Sequence, residues 1–234
     1  MKKVHINTKN YIFCLAAVLF LFLLFSCSSM SSFPGANPEN RNQTAQTQKK
    51  PSDYLQEGIE NFKNFKYPQA IQNFDKVLKT FPEHQGALFY RGRSLVQLDK
   101  PDQAMQDFNK ILNINTKSAE GHAGRGEVYI EKKAFSAAHK EIDKSLASDR
   151  NLALAWYLRG VAYGHQNSLD KAIEALEQCL HVDSKHAYAH YQLGLAYKQK
   201  GRTDLAVIHL EKFLELAPNA PEADRVRKLL NKLS

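Results

Sequence analysis

The amino-acid sequence predicts an all-α fold, an α-solenoid of about five helix-turn-helix units plus a C-terminal capping helix. Three residue types recur every 34 residues, a period that is typical of stacked helical repeats. They are glycine (Gly58, Gly92, Gly126, Gly160, Gly194), alanine (Ala70, Ala104, Ala138, Ala172, Ala206) and leucine (Leu78, Leu112, Leu146, Leu180, Leu214). Because no series has a gap, one unit is repeated five times in succession.

Each unit carries two apolar stripes with helical spacing. In the second unit one stripe runs from Ala87 to Val96, and Pro101 opens another that ends at Leu112. Proline is tolerated there because a first-turn N–H has no helical partner. The small residues predict a close crossing at which glycine of the first helix meets alanine of the second, while larger side chains fill the adjacent space. These larger residues are Phe74, Phe108, Ile142, Leu176 and Leu210.

Arginine precedes the glycine in three units, at Arg91, Arg125 and Arg159. Asp107 and Glu141 follow the first two arginines at a spacing of sixteen residues. This arrangement predicts an ion pair between the two helices of a unit in preference to an anion-binding site.

The unit resembles the tetratricopeptide repeat, which has an aromatic residue at position 4, Gly at 8, Tyr at 11, Ala at 20, a large apolar residue at 24 and Pro at 32. Units counted from Pro51, Gln85, Ala119, Ala153 and Ala187 occupy residues 51–84, 85–118, 119–152, 153–186 and 187–220. Residues 221–234 begin a sixth unit with polar residues, and they are predicted to form the capping helix that a repeat array needs at a free end.

The chain departs from this pattern at three positions. Asn61 and Leu95 replace the tyrosine at position 11. His122 and His190 stand where the aromatic residue is expected. The closing position holds proline in two units only, and Thr116, Arg150 and Ser184 take it in the others. Without proline there, an unbroken helical join between units is an open alternative.

The N-terminal segment has the organisation of a signal peptide, predicted over residues 1–26. Lysines at positions 2, 3 and 9 precede an uncharged apolar run over residues 11–25. As a helix this run would cover about 22 Å, which is less than the ~30 Å hydrocarbon core of a bilayer. The sequence Leu24-Phe25-Ser26-Cys27 resembles the lipobox of bacterial lipoproteins.

That resemblance implies cleavage before Cys27 and lipidation of Cys27, and several acyl chains would anchor the protein stably. The alternative is an uncleaved signal anchor in which Cys27 is an ordinary thiol. Ser28 resembles an outer-membrane sorting signal, so the expected location is the outer membrane, lipid-anchored and facing the periplasm. Residues 27–50 are then the lipidated cysteine and a polar linker, whose composition predicts disorder.

Composition and motifs argue against several functions. The net charge is +8 without a focused basic patch, so we expect no nucleic-acid binding. Phosphate-binding loops, nucleophile elbows and CxxC pairs are missing from the sequence, which predicts a protein without catalytic activity or cofactor. His186 and His190 have metal-ligand spacing but lack the HExxH acid, so no metal site is expected. Cys179 would have no disulfide partner in the mature chain.

The repeat resemblance implies a concave groove, lined by the first helices, that binds a segment of another protein. Positions 2, 5, 9 and 12 of each unit point into it by that analogy. The candidate site residues are Leu55, Ile59, Phe89, Arg93, Glu127, Tyr157, Val161, Tyr188, Tyr191 and Leu195. The aromatic ones are expected to anchor apolar side chains of a partner. Two alternatives stay open, that neighbouring helices cover these residues or that they form a homodimer interface.

One repeat subtype clamps the terminal carboxylates of chaperones with Lys at position 5 and Asn at position 9 of its first unit. Leu55 and Ile59 take those positions here, so chaperone tails are not expected partners. The predicted function is a membrane-anchored protein-protein interaction scaffold that assembles a cell-envelope complex, such as a pilus secretin, the outer-membrane assembly machinery or a peptidoglycan hydrolase system. The alternatives are a peptidoglycan- or carbohydrate-binding module and a homodimeric structural lipoprotein.

Overall fold

A computed structural model describes residues 49–233, which form eleven α-helices and no strand. The first helices of the units are α1 (Pro51–Lys63), α3 (Gln85–Gln97), α5 (Ala119–Glu131), α7 (Ala153–His165) and α9 (Ala187–Gln199). The second helices are α2 (Tyr67–Thr80), α4 (Pro101–Ile114), α6 (Phe135–Ser148), α8 (Leu169–Val182) and α10 (Thr203–Leu216). Helix α11 (Ala223–Leu233) follows them. Within this part of the chain, the predicted all-α solenoid is confirmed.

The predicted signal peptide, Cys27 and residues 28–48 lie outside the described residues. Each first helix begins at the residue from which its unit was counted. Within residues 49–233, every helix packs against helices of its own or the adjacent unit. None of the helices in this range combines the length and apolar character needed to cross a membrane.

Helix ends between units are fixed by side chains that the repeat pattern does not include. Helices α4, α6 and α8 are each followed by an Asn or Asp, at Asn115, Asp149 and Asp183. The side-chain oxygen of each accepts a hydrogen bond from the backbone N–H two residues later, at 2.8–3.0 Å. Such turns compete with helix continuation. The alternative of an unbroken join is therefore wrong, because an Asx turn ends the helix where proline is missing.

The histidines at position 4 of their units have a common structural role. The ring nitrogen Nε2 of His122 lies 3.1 Å from the carbonyl oxygen of Thr116, and that of His190 lies 3.3 Å from the carbonyl oxygen of Ser184. Trp156 Nε1 donates to the Arg150 carbonyl in the same way, at 2.9 Å. A ring N–H at position 4 thus pairs with the preceding unit where that unit lacks its closing proline.

The two helices of each unit cross so closely that a side chain at the recurring glycine position would collide with the second helix. A Cβ atom added at Gly160 would lie 2.5 Å from Leu176 Cγ and 3.2 Å from the Ala172 carbonyl oxygen. At Gly58 the nearest atom would be in the ring of Phe74, at 2.6 Å. The glycine therefore lies closest to the large apolar side chain, and at Gly126, Gly160 and Gly194 it also meets the backbone of the predicted alanine. The large side chain occupies the space that the glycine leaves free.

Ion pairs connect units as well as helices. Arg91 donates to both carboxylate oxygens of Asp107, at 2.8 and 2.6 Å, which confirms the pair predicted within the second unit. Arg91 also reaches Asp75 of the first unit, at 2.6 Å. Arg159 pairs only with Asp143 of the preceding unit among the acids of the described chain. Arg91 and Arg159 therefore also link successive units, whereas Arg125 lies 3.6 Å from Glu141 of its own unit.

Candidate partner-binding groove

The first helices of all five units contribute to one cavity of about 330 Å³, here called the central cavity. Phe62, Arg93, Glu127, Tyr157 and Tyr188 line it, one from each first helix. The remaining lining residues are Lys63, Phe65, Tyr67, Gln97, His186, Ala187, Leu216 and Ala217. The solenoid therefore curves enough to bring its first and fifth units around a shared space.

The structure divides the predicted site residues into three groups. Arg93, Glu127, Tyr157 and Tyr188 line the central cavity. Val161, Tyr191 and Leu195 line a second cavity of about 330 Å³ between α7, α8, α9 and α11. Leu55, Ile59 and Phe89 line neither cavity and pack, partly buried, against the core of the first two units.

Several residues of the central cavity were missed at the sequence level. Phe65 and Tyr67 lie at the turn after α1 and at the start of α2, so a rule based on first-helix positions does not include them. Leu216 and Ala217 come from the end of α10 in the fifth unit. One signal was available in the sequence, because the first unit alone has an aromatic residue at the position of Phe65.

An ion pair between neighbouring units lies in the central cavity. Arg93 Nε donates to Glu127 Oε2 at 3.0 Å, and only 8% of the Glu127 side chain is exposed. The guanidinium carbon of Arg93 lies 5.1 Å from the ring centroid of Phe62 and 5.8 Å from that of Phe89. Aromatic faces attract a cation at such distances. The positive charge of Arg93 is thus held by one carboxylate and two rings.

Tyr157 and His186 form an uncharged wall of the central cavity at neutral pH. Their ring centroids are 4.8 Å apart. Burial raises the pKa of the Tyr157 hydroxyl well above its usual range. Burial, and then the charge of Arg93, lower the pKa of His186 to about 4. His186 Nδ1 accepts a hydrogen bond from the Ala189 N–H at 3.1 Å and caps α9, as an unprotonated ring nitrogen does.

The capping helix continues the contacts between neighbouring units. Tyr188 Oη donates to Glu222 Oε2 at 2.8 Å, and Arg225 donates to the hydroxyl of Tyr191. Each pair is separated by one repeat length, as Arg93 and Glu127 are. Tyr191 is only 5% exposed, because its ring packs 5.1 Å from that of Phe213. Neighbouring helices therefore cover Tyr191, which is one of the two alternatives to a role in partner binding.

His186, His190 and Cys179 do not form a common cluster that could serve as a metal site. His190 Nδ1 lies 2.9 Å from His209 Nδ1, whereas His186 caps its helix and faces the central cavity. Among residues 49–233, no group of three or more His, Cys, Asp or Glu residues could hold a metal ion. Cys179 is buried, and burial raises the pKa of its thiol to about 12, so this thiol is unreactive at neutral pH.

Three family models, each described as tetratricopeptide repeat, match residues 61–125, 123–180 and 166–231. The chain belongs to the tetratricopeptide repeat family. Members of this family are protein-protein interaction scaffolds and are generally non-catalytic. No curated protein matches the chain.

Solved structures with this fold are similar to the chain along most of its length. A thermophilic tetratricopeptide repeat protein from Thermus thermophilus is 20% identical with a TM-score of 0.68, and the match covers 79% of this chain and 98% of that one. A tetratricopeptide repeat protein from Parabacteroides merdae is 18% identical with a TM-score of 0.67, covering 79% of this chain and 71% of that one. At these identities the likeness concerns the fold alone.

Proposed function

We propose that the chain is a membrane-anchored scaffold that holds a partner protein of the cell envelope at its central cavity. The observation that carries this proposal is the convergence of one side chain from each of the five first helices on that cavity. Residues spread over 34-residue intervals meet there because the units curve around a common centre.

The composition of the central cavity supports binding of a protein. Tyr157 and Tyr188 supply rigid aromatic surface, and Arg93 supplies a cation that is already stacked on rings. Tyrosine and arginine are enriched among the interface residues that contribute most to affinity. No catalytic step is needed for this role.

The membrane anchor is proposed from the sequence. Cys27 follows the signal-like segment within a motif that resembles a lipobox, and Ser28 resembles an outer-membrane sorting signal. Lipidation of Cys27 would place the repeats beneath the outer membrane, joined to it by residues 28–50. There the scaffold would serve assembly of a secretin, insertion of outer-membrane proteins or control of peptidoglycan hydrolases.

The partner-binding proposal can be tested by crosslinking in the native envelope followed by mass spectrometry. We expect Tyr157→Ala to remove the captured partner, because the variant loses an aromatic wall of the central cavity. Tyr163→Ala is the matched control, since Tyr163 lies on the same helix but outside the cavity, with its ring centroid 4.6 Å from that of His139. Equal capture by both variants, each melting cooperatively, would place the interface elsewhere.

The anchor has an independent test. We expect Cys27→Ala to abolish incorporation of radioactive palmitate. Cys179→Ala is the control, because that thiol is buried in the fold. Labelling that persists in Cys27→Ala would contradict the lipoprotein assignment.

A further inference from the structure

Phe65 is the only apolar aromatic residue among five equivalent turn residues. Each unit places one residue with positive φ between its two helices, and the angles lie between 56° and 75°. The residues are Phe65, Asp99, Lys133, Asn167 and Gly201. Bulky apolar residues are unfavourable in this conformation, whereas Gly, Asn and Asp tolerate it. The turn itself therefore gives no reason for phenylalanine in the first unit.

The ring of Phe65 reaches across the solenoid to the fifth unit. Its centroid lies 6.4 Å from that of Tyr188 and 6.5 Å from that of Tyr67, both in edge-on geometry. Phe65 is half-buried and packs against the apolar cluster around Phe213. Within residues 49–233, helices α1 and α9 make no backbone contact with each other. The first and fifth units are thus joined here by side chains, which can separate without unfolding a helix.

The central cavity behind Phe65 has the size and polarity for a side chain. Its volume of about 330 Å³ is at the lower end of the range for ligand sites. Arg93 and Glu127 balance each other's charge within it. A cationic side chain would therefore lose its hydration without gaining an unpaired opposite charge. Lys63 also lines the cavity, but it is exposed to solvent and would contribute little to the binding of an anionic side chain. The rings of Phe62, Tyr67 and Tyr157 favour an uncharged aromatic group instead.

We infer that the central cavity is an anchor pocket for an uncharged aromatic side chain of a partner peptide, and that Phe65 is a resident latch which this side chain displaces. The inference deepens the proposed function and rests on it. A partner must compete with the Phe65 ring, so its apparent affinity is reduced in proportion to the closed population. Release requires only that the Phe65 ring leave Tyr188 and Tyr67, because the positive φ belongs to the turn and recurs in every unit.

A pair of glycine substitutions separates the latch from the strain of the turn. Phe65→Gly removes both the ring and the strain, whereas Asn167→Gly, at the same turn position of the fourth unit, changes the turn and removes one exposed hydrogen bond from Gln199. The full chain, purified in detergent, is immobilised and panned with phage-displayed random heptapeptides. We expect Phe65→Gly to retain several-fold more phage than the wild type or Asn167→Gly, and the retained peptides to share an aromatic residue.

Phe65→Asn provides a second variant in case the glycine variant does not fold, because asparagine tolerates the left-handed conformation. Equal retention of phage by the Phe65 variants and Asn167→Gly would overturn the latch, and peptides without an aromatic preference would overturn the anchor pocket. The proposed function fails separately, if Tyr157→Ala still captures its partner in the envelope. If Tyr157 is needed for capture but the Phe65 variants bind no better, the scaffold role stands and the latch does not.

Discussion

On helix α7, Gly160 and Tyr157 face different surroundings. Gly160 lies against Leu176 so closely that no Cβ atom fits, while Tyr157 borders a cavity of about 330 Å³. The Gly160–Leu176 contact joins the two helices of one unit. Tyr157, by contrast, faces the centre around which all five units curve. The contact between the two helices of a unit is therefore closely packed, whereas space has been left where the units meet, and Gly160 itself borders the second cavity between the fourth and fifth units.

On this one helix, Gly160 is therefore expected to affect mainly the stability of the fold, and Tyr157 mainly the binding of a partner. Overpacking a filled crossing strains the whole unit. Changes at the central cavity alter the charge and shape available to a partner, and they affect the fold through fewer contacts. Four predictions test this contrast, from the largest expected loss of stability to the smallest.

Gly160→Leu tests the filled crossing. The new side chain would begin 2.5 Å from Leu176 Cγ, so we expect the free energy of unfolding to fall by about 3 kcal/mol or more. Urea unfolding followed by circular dichroism measures the loss. Gly164→Leu is the control on the same helix, because an added Cβ there meets no atom within 4 Å. Comparable losses in the two variants would contradict the role assigned to the crossing.

The pH dependence of stability tests whether His186 is an uncharged part of the cavity wall. Its folded-state pKa of about 4 is below the usual value near 6.5, so the unfolded chain binds a proton first as the pH falls. Stability from this group is therefore complete above pH 6.5 and is lost as the pH falls through 4. The loss is at most about 3 kcal/mol.

His186→Asn keeps a capping side chain and removes this titration. We expect the stability difference between wild type and variant to shrink between pH 7 and pH 4 in urea titrations at several pH values. His84→Asn replaces the equivalent cap of α3, outside the central cavity, and controls for the cap itself. A difference that does not change with pH would show that His186 is not held neutral by the cavity.

Glu127→Gln tests the ion pair of the central cavity. The substitution keeps the shape but leaves Arg93 without its counter-charge in a largely buried position, so we expect a loss of about 1–2 kcal/mol in urea unfolding. Glu57→Gln is the control, because the Glu57–Lys49 pair is exposed and should contribute little. A larger loss at Glu57 than at Glu127 would contradict the assigned burial.

The sequence predicted the helices well because the signal repeats at short range. Gly160 and Leu176 lie in one unit, so the 34-residue period alone places the crossing. The helix ends were also readable, since Asn115 and its equivalents recur at the same interval. Which atom the glycine meets could not be read from the period, because that depends on how the large side chain leans into the gap.

The central cavity could be predicted only in part. Arg93 and Tyr157 were found from their positions on first helices, but Phe65 and Tyr67 depend on the curvature of the solenoid. Curvature is the sum of small rotations between units and brings residues together that are more than 120 positions apart, as Phe65 and Tyr188 are. A sequence pattern that describes a single unit therefore does not predict the curvature of the whole array.

Tyr188→Phe gives the smallest expected change and tests the attachment of the capping helix. The variant keeps the ring that contacts Phe65 but loses the hydrogen bond to Glu222 Oε2, so we expect a loss of about 1 kcal/mol in urea unfolding. Tyr197→Phe is the control, because its hydrogen bond to Glu177 is exposed and competes with water. An equal loss in the two variants would mean that the Tyr188–Glu222 hydrogen bond adds nothing to the attachment of α11, which its apolar contacts and the Arg225–Tyr191 hydrogen bond would then hold.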